Sequence, residues 1–592
     1  VPRLLMAAVR PWRGTVIFVA VVVLASAGLE LIPPLVIRSV IDDHLSSGRA
    51  DGLLLLGLVY LGALAAVQVS VFVYSYMAAW IAQRAINSLR LRLFTHLLRL
   101  PIRHHDTTPL GDMVSRCTAD VETLETLFSS GVARLLADMV RLVTIAAAMV
   151  VLSPALSLVT LAVLPPLVLL TRMIQVRIRN AERASRLAVG RVNTELQESL
   201  VGVEVVRAFG RGDHFVSRFR RALGQVVLAY NQATRFNAIY PPATVFMSAV
   251  VVSLLLWTGG QNVFGSWGVS LGTLVAFVFL FQRFFAPITA LGEEWQTVQS
   301  ALAGAERIAE VLDVPAETPA AQASGAPDLA APVVIEMRSA DFGYETKPVV
   351  RDVTLLVKRG EHVAVVGRTG AGKSTVLSLL AGLHRPWSGS VTVLGIDPWA
   401  VTGAERRWIM GVVPQTVHLF AGTVVENLTL GDGSIDRDQV TTAAELSGAD
   451  AFIRDLPDQY ETLIDGSGRE GGTQLSEGQR QLIGLARAVV LRPPVLLLDE
   501  ATSAVDAASD SSFRAALRTL SEKEGTTVVT VAHRLATARE ADRVLVMEAG
   551  RVVEHGTPAE LVSMGGKFAA FIELEEAGWD WRRPEGAGVT GV

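Results

Sequence analysis

The chain has 592 residues, 50% of them hydrophobic and 19% charged, with a formal net charge of −4. That length exceeds what one hydrophobic core supports and predicts at least two domains, and the slightly acidic balance gives no basis for a nucleic-acid partner. Cys117 is the only cysteine, which excludes an intrachain disulfide framework and any cysteine-cluster metal site.

Between Thr15 and Val298 six apolar runs approach the ~20 residues that cross a ~30 Å hydrocarbon layer, at about 15–37, 53–80, 132–152, 155–173, 243–264 and 269–291. Six such runs in this space leave no polar faces to meet water, so core helices of a soluble protein are rejected. Arginine sets the orientation. Arg3, Arg10 and Arg13 precede the first run, six Arg from Arg84 to Arg116 follow the second, and twelve from Arg172 to Arg235 follow the fourth, whereas "LSPA" and "GGQNVFGSWG" carry no basic residue. Both termini and two long helical loops are therefore expected in the cytoplasm. Only five of the 53 basic residues are Lys, a composition that hints at a GC-rich bacterium and hence at a multi-pass protein of the bacterial inner membrane. Within the spans, Glu30 and Arg283 stand out, because charges at such depth face a cavity or another charge. Counting about 1.5 Å per residue from the span ends puts Glu30 about 24 Å and Arg283 about 9 Å above the cytoplasmic edge, so the two are not expected to meet. Arg283 is instead read as lining an inward cavity beside the Phe residues of "FLFQRFFAP", with a helix–helix contact as the alternative.

At about residue 311 the character changes. A Pro/Ala/Ser linker is expected over 311–332, followed by a soluble α/β domain over 333–575 and a flexible tail over 576–592. In "VAVVGRTGAGKSTVLSLLAGL" a β-branched strand, a Gly-rich turn and a helix follow one another, and Gly367, Gly372, Lys373 and Ser374 fit G-x-x-x-x-G-K-[ST]. Backbone N–H groups of such a loop wrap phosphates, Lys373 reaches the β/γ oxygens, and Ser374 can hold Mg²⁺. The apolar strand in "PPVLLLDEATSAVD" ends at Asp499, at the edge where α/β sheets bind ligands. Asp499 would meet the metal through water, and Glu500 would orient the attacking water. Gln415 in "GVVPQTVHLF" can reach metal or water, His533 in "TVVTVAHRLAT" can bond the γ-phosphate, and Tyr344 in "DFGYE" can stack on adenine. Taken alone, Gln415 and His533 read more readily as buried structural residues, and Tyr344 equally well as a packing residue.

In this order and spacing, the P-loop, Gln415, "LSEGQ", "VLLLDE", "SAVD" and "AHR" resemble an ABC-transporter nucleotide-binding domain. The first 310 residues resemble the six-helix half of an ABC exporter, notably in "TPLGDMVSRCTADVETLE" and "ELQESLVGVEVVRAFGR". The resemblance implies an all-α membrane domain of six transmembrane helices followed by an α/β P-loop ATPase domain. It also implies ATP and Mg²⁺ as cofactors, the bilayer and a small-molecule or lipid cargo as partners, and a second half-transporter that sandwiches two ATPs. It adds Thr369, Gly370 and Thr375 to the phosphate cradle, makes Glu500, His533 and Gln415 catalytic, and gives Ser374, Gln415 and Asp499 to the metal. Ser476, Gly478 and Gln479 would meet the ATP held by the partner. Short helices near Thr107–Leu110 and Arg211–Phe215 would carry motion to the membrane.

One residue departs from the family pattern. The signature usually reads LSGGQ; here it is "LSEGQ", with Glu477 in the anion site. A carboxylate within several Å of a triphosphate costs on the order of 1 kcal/mol even when solvated. This chain is therefore expected to pair with a different half-transporter, giving one competent and one degenerate ATP site. A homodimeric exporter, or an importer on the same fold such as one for siderophores, is the alternative.

Overall fold

The computed structural model describes residues 6, 9–48, 50–262, 269–317, 326–464, 472–499, 507–522, 524–532 and 534–577. It divides into two compact units, Val1–Leu100 with Thr108–Pro315, and Pro101–Thr107 with Ala316–Val592.

The first unit is helical. Its opening run is two helices, α1 (Arg13–Leu29) and α2 (Ile32–Ser39), and not the single span expected over 15–37. Pro33 and Pro34 occupy the first turn of α2, and because proline has no N–H they cannot donate to the carbonyls of Leu29 and Glu30. The helix stops at those residues and restarts beyond them. A π-helical turn, Val40–Leu45, closes the segment. There follow α3 (Leu53–Leu97) and, belonging to the second unit, α4 (Ile102–Thr107); then α5 (Val132–Leu152), α6 (Pro154–Val201), α7 (Gly212–Asn262) and α8 (Leu271–Asp313). The 51 residues of α7 extend about 75 Å, more than twice a ~30 Å hydrocarbon layer. Among the described residues, the stretches 10–45, 53–97, 110–152 and 212–258 are long and apolar enough to cross a membrane, and Leu271–Phe284 is a shorter apolar helix. The run expected at 155–173 begins α6, where seven side chains between residues 163 and 171 lie outside the described residues.

Between α5 and α6 the chain reverses in one residue. Ser153 is extended, its Oγ accepts from Leu156 N at 3.4 Å, and Pro154 starts the next helix, a pairing of cap and first-turn proline that favours a clean start. Near this turn Ile145, Met149, Leu156, Leu255, Phe277 and Phe281 form one buried cluster. A second cluster, at the far end of α3 and α8, includes Leu93, Leu97, Leu124, Ile308 and Val311. Burial of Val311 holds the last turn of α8, which runs to Asp313, past the expected start of the linker at residue 311.

The two short helices expected in the long loops lie away from their expected places. They are α4, Ile102–Thr107, and Val203–Ala208, where the sequence suggested Thr107–Leu110 and Arg211–Phe215. Punctuation explains both. Pro109, the cap of a separate helix Leu110–Cys117, follows the first, and Gly202 and Gly210 (φ +61°) bracket the second.

The second unit is α/β. Strands β1 (Val333–Tyr344), β2 (Lys347–Lys358) and β4 (Ser388–Val393) form an antiparallel sheet in the order β2-β1-β4. β3 (His362–Gly367), β5 (Met410–Val413), β8 (Val495–Asp499), β9 (Thr527–Val531), β10 (Arg543–Glu548) and β11 (Arg551–Gly556) form a sheet ordered β11-β10-β3-β9-β8-β5. All its pairs are parallel except β10–β11. Short β6 (Gly422–Thr423) and β7 (Leu463–Ile464) pair separately. β3 and β9 are buried along their whole length, as expected for apolar, β-branched strands covered on both faces. Two helices matter for the site, α9 (Lys373–Leu380), which follows β3, and α10 (Glu477–Val489), which precedes β8.

Candidate functional site

The turn between β3 and α9 is shaped by glycine. Gly367, Gly370 and Gly372 have φ of +153°, +83° and +97°, values that L side chains rarely adopt. A Cβ at Gly367 would lie 2.3 Å from the Met547 carbonyl and one at Gly372 3.0 Å from that of Val349, so packing also demands glycine there. At Gly370 nothing lies within 4 Å, and Thr369 and Gly370 are exposed, so the loop's tip opens outward. Lys373 is buried and its Nζ donates to Gly367 O (2.7 Å) and Arg368 O (3.1 Å), stretching the ammonium back across the mouth of the loop. Thr375 is buried beside it. A loop of this shape at a helix N-terminus offers N–H groups and a positive dipole end to an anion.

Ser374 Oγ donates to Asp499 Oδ1 at 3.1 Å, joining the start of α9 to the end of β8. Burial pushes the Asp499 carboxyl above its usual range, while the Ser374 bond and the Lys373 charge pull the other way. A hydroxyl and a carboxylate in this position form a hard oxygen set suited to a small divalent cation. Val413 of β5 pairs with Leu498, so Gln415, two residues on, leaves the sheet at the edge where Asp499 stands. Tyr344, 40% exposed, packs edge-on against Phe342 and His384 with centroids 5.4 and 5.6 Å away, leaving part of its ring free. On the far side of His384, whose Nε2 is 3.8 Å from Asp106 Oδ2 of α4, the cluster meets the short helix that this unit incorporates. Glu500, His533 and the "SAVD" turn lie outside the described residues.

Ser476 caps α10. Its Oγ accepts from Gln479 N (3.2 Å) and its N–H donates to Gln479 Oε1 (2.9 Å), a reciprocal box that fixes Ser476, Gly478 and Gln479 as one rigid turn. Glu477, in the first turn, is closed on by the Arg480 guanidinium. The carboxylate met in the sequence as a bare charge is thus paired with a cation three residues on, a helical spacing that brings side chains together.

In the helical unit, the separation expected between Glu30 and Arg283 does not hold. Arg283 Nη1 donates to the Glu30 carbonyl at 2.9 Å, the acceptor that Pro34 leaves without an N–H partner. The depth count misplaced Arg283 because it took the end of the apolar run as a membrane edge, whereas α8 continues unbroken to Asp313 and marks no such edge. The Glu30 carboxylate is held by Arg141 Nη2 at 2.6 Å, and Arg141 Nη1 also reaches Asp138 Oδ1 at 3.4 Å. Glu30 and Asp138 are both buried, as intramembrane carboxylates are when paired. Arg141 is the partner the sequence reading missed, although its position in an apolar run was a visible signal. Nor do the Phe residues act as one surface, for Phe281 is buried in the helix cluster while Phe279 is exposed.

Residues 16–288 match the family described as ABC transporter transmembrane region, and residues 350–503 match the family described as ABC transporter. The chain is 34% identical, over 82% of its length and 76% of the relative's, to a fatty acid ABC transporter ATP-binding/permease protein of Mycobacterium tuberculosis. It is 30% identical to an ATP-dependent lipid A-core flippase of Thiobacillus denitrificans, over 96% of this chain and 97% of the other. Among solved structures it is similar to a bacterial Atm1-family ABC exporter with ATP bound, with a TM-score of 0.74, 24% identity and coverage of 97% and 99% of the two chains, a likeness of fold. With a phosphate loop facing a half-buried carboxylate in one unit and long apolar helices in the other, the chain belongs to the ABC transporter family, as an exporter-type half-transporter whose helical membrane domain is fused to an ABC ATPase that drives transport.

Proposed function

We propose that this half-transporter expels an apolar or amphipathic small molecule, drug or lipid across a bacterial inner membrane, with both termini and the long helical loops on the cytoplasmic side. The observation that carries the reading is the Ser374–Asp499 contact at the mouth of the glycine loop. One relative is named for fatty acid and another for lipid A core, both amphipathic, which supports an amphipathic cargo.

In this reading the N–H groups from Gly367 to Thr375, with Thr369 and Gly370 at the open tip, wrap the phosphates while Tyr344 stacks on adenine. Lys373 leaves the loop carbonyls for the β/γ oxygens. Ser374, Gln415 and (through water) Asp499 would hold Mg²⁺, which would supply charge neutralisation at the phosphates. Glu500 positions water for attack on the γ-phosphorus and His533 bonds the γ-phosphate. Ser476, Gly478 and Gln479 close on the nucleotide of the partner subunit, and the clamped pair drives the helices from inward- to outward-open. Glu500→Gln should retain ATP binding but lose about 100-fold or more in turnover, whereas Lys373→Ala should lose nucleotide affinity. Turnover near the parent rate in Glu500→Gln would refute the assignment.

The partner is a different half-transporter. A carboxylate at position 477 faces a triphosphate that the family meets with glycine, so the site completed by this signature binds ATP and hydrolyses it poorly. The Arg480–Glu477 pair favours a second reading, a homodimer with two working sites, because it offsets the misplaced charge. Purifying the chain alone separates them: a stable homodimer with two equally active sites establishes the second.

A further inference from the structure

His384 is mounted at the end of α9 that lies away from the phosphate loop. The helix stops at Leu380, and the chain turns through Gly382 (φ +65°), where a Cβ would stand 2.3 Å from the Pro398 carbonyl, before it reaches His384. The imidazole stacks on Phe342 with centroids 5.0 Å apart and meets Tyr344 edge-on at 5.6 Å, while Trp387 packs on the same Phe342 at 6.0 Å. Its side chain is only 10% exposed, yet Nε2 lies 3.8 Å from Asp106 Oδ2 of α4. That separation is longer than a hydrogen bond, so a shift of about 1 Å in α4 makes or breaks one. With six residues, α4 is too short to keep its place by its own hydrogen bonds. Its charged and titratable groups are Arg103, His104, His105 and Asp106. Of these, and of Arg385 beside the imidazole and Asp341 on β1, Asp106 is the one whose charge is felt at His384. Asp341 is taken up by the Ser388 hydroxyl and the Asp352 N–H.

We infer that His384 is a positioning residue that reports the nucleotide base to α4: a base stacked on Tyr344 pins the imidazole, and the pinned Nε2–H takes hold of Asp106. The inference rests on the proposed role of Tyr344. A base laid on the free part of that ring restricts its rotation, and with it the imidazole whose edge the ring packs against. The bond to Asp106 then stays aligned, and a hydrogen bond to a carboxylate is of the stronger, charge-assisted kind. Phosphates without a base fill the glycine loop but leave the Tyr344 ring free, so they do not hold α4. Burial keeps the His384 pKa below the ordinary 6.5, with Asp106 opposing. Near neutral pH the imidazole is therefore uncharged and its orientation decides the contact. In acid it becomes charged, and an ion pair holds α4 with or without a base.

The test uses the full transporter with a cysteine-free partner in lipid nanodiscs, carrying Cys117→Ala and a nitroxide on Thr107→Cys, an exposed position at the end of α4. At about pH 7.5, AMP-PNP with Mg²⁺ should immobilise the label, whereas inorganic tripolyphosphate with Mg²⁺, at a concentration that displaces a fluorescent ATP analogue, should not. At saturating AMP-PNP, His384→Ala should raise the mobile fraction about fivefold, and His384→Gln, which restores an N–H donor, should recover most of the immobilisation. Since His384→Ala opens a void among the aromatic rings, Asp106→Ala, at an exposed side chain, is the second variant. It should match His384→Ala, and the double variant should be no worse. Lowering the pH to about 5.5 should immobilise the parent's label without nucleotide and leave both Ala variants unchanged, although His104 and His105 are still present in them. Equal immobilisation by tripolyphosphate and AMP-PNP, or immobilisation by AMP-PNP retained in both Ala variants, overturns the inference. AMP-PNP affinity unchanged by Tyr344→Ala would instead sink the stacking reading, while the acid response would still decide whether His384 holds α4 through Asp106.

Discussion

Arg480 closes on Glu477 across one turn of α10, in the first turn of a helix whose N-terminus points at the place where a second nucleotide is proposed to bind. An exposed pair of this kind is worth only a few tenths of a kcal/mol to the fold, so its weight lies in local charge. Removing Arg480 leaves the carboxylate to face a triphosphate. Arg480→Gln should therefore weaken ATP binding severalfold at the site this signature completes, with little change in melting temperature, and Glu477→Gly in that background should restore it. Titration of the assembled transporter with a fluorescent ATP analogue across the four members of the cycle checks this, and no rescue by Glu477→Gly would show that charge at the signature is not what limits binding.

Asp499 is ionised only against the cost of burial, which raises its pKa in the fold. A raised carboxyl holds protons that the unfolded chain releases, so this group's contribution is greatest at low pH and falls as pH rises through its folded value. At neutral pH the free domain carries a partly desolvated charge that favours the unfolded chain. Asp499→Asn should accordingly raise the melting temperature of the nucleotide-free protein slightly and abolish the further rise on adding Mg²⁺ and ATP. Differential scanning fluorimetry with and without the nucleotide reads both effects, and their opposite signs separate a site residue from a merely packed one.

The phosphate loop was legible because it is local: strand, glycines, lysine and helix lie within one short stretch, and their geometry depends on little else. Asp499 was legible for the same reason, as the end of an apolar strand. What escaped sequence reading joins distant residues. Asp42 accepts from the N–H of Gly272, 230 positions away, and no periodicity in either segment announces their meeting. The break after Leu29 was written in Pro33–Pro34, but an average of hydropathy over a span runs straight across two prolines. Arg480 was visible in principle, three residues after Glu477, and was passed over because the signature was compared with a pattern and not read as a helix face.

His362 opens β3 in the centre of the ATPase sheet, with Nε2 3.2 Å from Thr530 Oγ1. Burial holds its pKa below the ordinary 6.5, with Asp542 and Glu540 opposing. Here the unfolded chain binds the proton more readily, so folding stability is unaffected well above pH 6.5 and declines as pH drops below it. His362→Gln should flatten that decline between pH 7 and the folded pKa. Urea unfolding of the parent and variant at a series of pH values measures it, and parallel curves would place the acid sensitivity elsewhere.

Arg141 holds two buried carboxylates, Glu30 and Asp138, inside the helical unit. Replacing it by Met removes the cation and leaves both acids without their ion-pair partner, so the loss should reach about 3 kcal/mol or more. Glu30→Gln alone should cost less, because the amide can still accept from Arg141 while the Glu30 carbonyl keeps Arg283. Combining Arg141→Met with Glu30→Gln and Asp138→Asn should recover much of the loss, since an uncharged cluster no longer needs its cation. Thermal unfolding in nanodiscs across this set gives the coupling directly. If the neutral triple variant proves as unstable as Arg141→Met, then packing of the guanidinium against its neighbours, and not charge, holds the break in the first span in place.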